Sequence, residues 1–144
     1  MIAALFEIVT VGMPFCAFKI IAGLGLNQIW LTVWGVLDLA INATNLLSLA
    51  LRRKRLLDSC LLSLVVRAVK KPGREEKSQW QDLGNSVDVL LSFALVAFML
   101  GGGFLGALAP TQLKLWNISV ILNVLGAGSS RLSASIASLG KHGT

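Results

Sequence analysis

Two long apolar arms, separated by one basic stretch, set the pattern of this chain. Residues 2–51 and 83–131 are almost continuously apolar, whereas 52–82 holds nine of the thirteen Lys and Arg residues. Each arm breaks once at turn-forming residues: Gly23, Gly25 and Asn27 in the first, Ala109-Pro110-Thr111-Gln112 in the second. About 20 apolar residues at ~1.5 Å rise cross the ~30 Å of a hydrocarbon core. The punctuation therefore predicts four spans, at about 2–24, 28–51, 83–108 and 113–131. Pro14 interrupts the first and is expected to kink it. This span carries Glu7 and Lys19, lacks a positive leading region and is longer than a cleavable signal allows, so it is expected to stay.

The basic stretch has a pattern of its own. Ser59, Ser63, Arg67 and Lys70 recur at three- and four-residue steps, and Leu57, Leu61, Leu64, Val65 and Ala68 fill the opposite side. That spacing predicts an amphipathic helix over 56–71 lying at the membrane surface, ended by Pro72-Gly73. The expected organisation is a first transmembrane hairpin (1–51), a basic cytoplasmic loop (52–82), a second hairpin (83–131) and a cytoplasmic tail (132–144).

Composition places this pattern in a bilayer. With 55% hydrophobic and 14% charged residues and a mean hydropathy of +0.75, 144 residues cannot cover their apolar surface in water. The fold class expected is an all-α integral membrane protein of four transmembrane helices. The net charge of +6 sits mostly in the loop, which the positive-inside rule assigns to the cytoplasm, together with both termini. A multi-pass protein of a bacterial inner membrane or an equivalent membrane fits. Arg52, Arg53, Lys54, Arg55, Arg67, Lys70 and Lys71 are the candidate contacts for anionic lipid headgroups. No nucleic-acid-binding signature accompanies them. Lys19 and Lys114 are expected to snorkel to the outer interface, and Trp30 and Trp116 to form an aromatic belt there. A shift of 86 residues overlays turn on turn, Met13 on Met99, Phe18 on Phe104 and Trp30 on Trp116. The arms thus repeat in hydropathy, although the remaining identities are no more than a Leu-rich chain gives by chance.

Candidate chemistry lies in the polar residues within the spans. Trp34, Asp38, Asn42 and Asn45 follow one another at four, four and three residues and share one helix face. An ionised carboxylate as deep as Asp38 costs ~2.5–3.5 kcal/mol or more, so it must be neutral, hydrogen-bonded, paired or open to a water-filled cavity. Ser119, Asn123, Gly126 and Ser130 form a matching face on the fourth span, where Asn123 is a candidate partner for Asp38. Glu7 and Asp88 are expected to reach the headgroup region. Gly102 and Gly106 form a GxxxG pair, and Gly126 and Ser130 continue the same spacing, a packing seam for helices of this chain or of a partner.

Other chemistry finds no support. Cys16 and Cys60 belong to no metal-ligand spacing, and Cys60 reads as a small apolar filler rather than an acylation site. The single histidine, His142, lies in the tail, and Gly101-Gly102-Gly103 lacks the Lys-Ser/Thr of a phosphate loop. No cofactor, no metal and no enzymatic activity are expected. The sequence favours a non-enzymatic membrane subunit that packs against partner helices, or self-associates, to stabilise or assemble a larger complex. The alternative is a small proton- or cation-coupled transporter or channel built on Asp38.

Overall fold

Helices joined by short turns make up the residues described by the computed structural model, 2–52, 57, 60–70 and 76–141. Helix α1 (Ile2–Glu7) runs through a π-helical segment (Ile8–Gly12) into α2 (Met13–Gly25). Pro14 explains the π segment. It has no N–H to give, and its ring crowds the carbonyl four residues back. Widening the preceding turn accommodates both, with the Met13 N–H reaching back to the Ile8 carbonyl. Gly23 and Gly25 stay helical, and the turn falls on Leu26–Gln28, where Asn27 adopts φ +53°. Asn tolerates this left-handed conformation better than most residues.

Helix α3 (Ile29–Arg52) follows, then α4 (Leu61–Lys70) and α5 (Glu76–Gly101). The third span was expected to reach residue 108, but α5 stops at Gly101. Gly103 takes φ +69°, a short 3-10 turn covers Phe104–Ala107, and α6 (Pro110–Lys141) starts with proline at its first position. The Gln112 side chain accepts the Ala109 N–H at 2.9 Å, closing this start. Gly102 and Gly106 therefore lie in the connection and do not share a helix face; both are exposed.

Among the described residues, three helical stretches are long and apolar enough to cross a membrane: Ala4–Gly25, Ile29–Leu51 and Leu83–Gly101. Helix α6 is long as well, but Lys114, Asn117, Asn123 and Ser129 dilute its apolar run.

Helix α2 is the centre, packed against α3, α5 and α6. Phe15, Phe18, Ile21 and Ala22 from α2 meet Leu31, Met99, Leu108 and Trp116 in the main apolar cluster. Trp116, expected in an interfacial belt, is only 1% exposed, and its ring lies 4.8 Å from that of Phe18. Trp30 is 60% exposed. The two tryptophans of the hydropathy repeat thus occupy unlike environments, because α2 is central and only α6 turns its tryptophan onto it.

Helix–helix approach is close where glycine permits it. A Cβ on Gly35 would stand 2.8 Å from the Ile20 backbone nitrogen and 2.9 Å from Lys19 Cβ, so α2 and α3 touch backbone to backbone beside Lys19. Gly126 takes the contact with Thr10 that seats α6 on the π segment.

The helix of the basic loop forms over Leu61–Lys70, and the residues around its start bond to α3. Asn45 accepts the Leu57 N–H at 2.9 Å and donates to the Leu57 carbonyl at 3.2 Å. Asp38 accepts the Leu61 N–H at 2.6 Å. Asp38 is fourteen residues, about 21 Å of helix, from the Arg52 end of α3. Leu57 and Leu61 therefore lie alongside α3, and Ser63 packs onto Gly84 of α5. Buried polar groups on α3 need partners, and this backbone supplies them. Arg53, Lys54, Arg55 and Lys71 lie outside the described residues; Arg52, Arg67 and Lys70 end α3 or lie on α4.

Cys60 reports on this placement. It is buried beside Gly84 and Asn85, and burial pushes its thiol up, which lowers the reactive thiolate fraction. In a Cys16→Ser background, maleimide labelling of Cys60 at neutral pH is expected to be at least about tenfold slower than after denaturation. Equal rates would show that the segment lies on the surface.

Candidate functional site

The site grows from Lys19 on α2. Its side chain is 2% exposed, and its ammonium donates to Asp38 Oδ2 at 2.5 Å and to Asp88 Oδ1 at 2.6 Å. Asp38 on α3 is 1% exposed and Asp88 on α5 is 6% exposed. These are ion pairs, and one lysine bridges two helices. The Trp34 ring faces the same ammonium, 4.9 Å from its centroid, adding a cation–π contact. Lys19 was expected to snorkel outward and Asp88 to reach headgroups; both are instead held inside the bundle.

Helix geometry gives the reason. Cα–Cβ bonds lean toward a helix's N-terminus. On α2 that direction leads away from the Leu26–Gln28 turn and into the bundle. On α3, which runs back from the same turn, it tilts Asp38 toward Lys19. Asp88 is buried because α5 begins at Glu76, twelve residues earlier, instead of near Leu83.

The two carboxylates are satisfied unequally. Asp38 uses both oxygens: Oδ2 on Lys19, Oδ1 on the Leu61 N–H at the first turn of α4. Asp88 engages Lys19 through Oδ1 alone. Two carboxylates and one ammonium carry a formal charge of −1.

Beside Asp88 lies a cavity of about 100 Å³, half open, whose polar lining comes from Glu7, Asn42, Asn45, Cys60, Asn85 and Asp88. The π segment forms one wall through Ile8, Val11 and Gly12. Lys19 also borders a second cavity of about 270 Å³, lined by Trp30, Trp34, Leu95 and Phe98 among apolar neighbours. The ion cluster stands between a polar space and an apolar one.

The other predicted residues fall as follows. Asn42 is buried on the inner face of α3 and donates to Cys16 Sγ at 3.4 Å and to the Asp38 carbonyl at 3.0 Å. Asn45 holds Leu57. Ser119 and Asn123 are buried on α6, and among the described residues Asn123 Nδ2 has no hydrogen-bond partner. Asn123 does not meet Asp38, because α2 lies between α3 and α6. Gly126 packs on Thr10, while Ser130 continues α6. Among the described residues, no group of three His, Cys, Asp or Glu side chains is placed to hold a metal ion.

Comparison with protein-family models, with curated proteins and with solved structures gives no match.

The triad's energetics can be read from stability in detergent or nanodiscs. Removing one partner of a buried ion pair costs about 3–5 kcal/mol, whereas neutral replacement of the whole set is tolerated. Lys19→Met alone is expected to lose that much. Lys19→Met combined with Asp38→Asn and Asp88→Asn should recover most of it in chemical or thermal unfolding. A single variant as stable as wild type would rule out the buried cluster.

Proposed function

We propose that this chain is a small multi-pass membrane protein that carries or conducts a proton or small cation, with the Lys19–Asp38–Asp88 cluster as its charge centre. In this reading, four membrane-crossing helices form two hairpins, α6 being the fourth span. Both termini and the basic loop face the cytoplasm of a bacterial inner membrane or its equivalent. The basic residues of the loop meet anionic headgroups there.

The observation that carries the reading is a net-negative ion cluster set between two cavities. Charge is expensive to bury in an apolar bundle, and well-packed hydrophobic side chains would join α2, α3 and α5 as firmly. Charges retained at that cost, beside a space large enough for water, suit ion passage better than packing. Lys19 can favour either carboxylate, so an ion arriving at one alters its hold on the other.

The second reading is a membrane subunit that docks on partner helices. The apolar outward faces favour it, with Leu47, Leu90, Ile121 and Val124 all well exposed. Lipid covers such faces equally well, and the three buried charges already have partners within the chain.

Reconstituted liposomes test the proposal. Under an imposed proton or alkali-cation gradient, wild type is expected to give a flux that the triple variant Lys19→Met/Asp38→Asn/Asp88→Asn lowers at least about tenfold while remaining folded. Silent wild-type vesicles, together with a native mass showing a fixed heteromeric complex, would favour the subunit instead.

A further inference from the structure

We propose that the polar cavity beside Asp88 is a binding site for one partly hydrated monovalent metal cation, held by Asp88 Oδ2 and Asn42 Oδ1. The inference deepens the ion-transport reading and rests on it for its role, but not for its geometry. Both residues are more than nine-tenths buried, at 6% and 5% exposure, and both line the cavity.

Their free atoms are acceptors. Asp88 spends Oδ1 on Lys19, and among the described residues Oδ2 has no protein donor. The Asn42 amide is fixed in orientation, because Nδ2 donates to both Cys16 Sγ and the Asp38 carbonyl. That leaves Oδ1 toward Gly12, a wall of the cavity, where the lack of a Cβ gives it room. Two oxygen acceptors, one of them a carboxylate, favour a cation over an anion.

Charge and size narrow the class. Asp38 shares Lys19 and also has the start of α4, so the triad's formal charge of −1 falls mainly on Asp88, the buried carboxylate of a cavity that the exposed Glu7 also lines. One free carboxylate oxygen suits a single positive charge. Calcium takes six to eight oxygen ligands, usually with several carboxylates among them. A space of about 100 Å³ has room for an alkali ion together with some of its water.

The test uses the full chain in nanodiscs at fixed pH and ionic strength, comparing sodium, potassium and lithium chloride with N-methylglucamine chloride. An alkali cation is expected to raise the thermal midpoint with saturation. Asp88→Asn should abolish the effect, and Asn42→Val, which leaves the ion triad in place, should weaken the apparent affinity about tenfold or more. Identical midpoints in all four salts overturn the proposal, as does a cation effect that survives both substitutions. Flux measured on the same preparations separates the two readings. Proton-driven flux without cation binding rejects this site and keeps the carrier. Cation binding that both substitutions weaken, without flux under either gradient, keeps the site and rejects the carrier.

Discussion

A lysine ammonium cannot stay unpaired among apolar helices, and the arrangement of this bundle follows from how Lys19 is paired. Its two carboxylates come from α3 and α5, and one of them also receives the first N–H of α4. A single cluster thus ties four helices, although the nearest of these residues are nineteen positions apart in sequence. Close approach at Gly35 brings α2 and α3 near enough for the contact, and the Trp34 ring covers one side of the ammonium. Separating any one helix would expose a charge to the apolar interior, which is more costly than losing the same area of ordinary contact.

The cluster is not symmetric, and the asymmetry gives it direction. Asp38 is anchored on two sides, by Lys19 and by the first N–H of α4. Asp88 is held on one side and borders the polar cavity. The backbone polar groups of Leu57 and Leu61 would be unfavourable in bare hydrocarbon without partners. Here Asn45 and Asp38 supply them. The polar face of α3 therefore does two jobs: it positions a loop segment within the bundle and forms part of the cavity wall.

Much of this was legible in the sequence, and what was missed has a physical cause. Helix punctuation at Asn27 and Pro110, the single face of Asp38, Asn42 and Asn45, and a helix within the basic loop follow from local rules of turn chemistry and periodicity. Lys19 lies near enough to the end of its span to snorkel, but its Cβ bond leans away from that end. That lean, with three intramembrane charges of opposite sign, was the available signal. Asp88 was misplaced because α5 starts before the apolar run that marks it. Hydropathy finds where a helix becomes apolar, not where its hydrogen bonds begin. The end of α5 was hidden for the converse reason, since Gly101-Gly102-Gly103 is apolar enough to read as span yet too permissive to remain helical. The placement of Leu57 and Leu61 against α3 depends on tertiary partners, which no local pattern reports.

The most direct test of the account is the position of the Lys19 ammonium. In lipid bilayers, magic-angle-spinning dipolar measurements can pair 15N-labelled lysine Nζ with 13C-labelled aspartate carboxyl carbons, and Lys19→Arg assigns the signal. The account predicts dephasing of the Lys19 nitrogen by two carboxylates, one lost in Asp38→Asn and the other in Asp88→Asn. Dephasing by lipid phosphorus, with none from either aspartate, would place Lys19 at the membrane interface and contradict it.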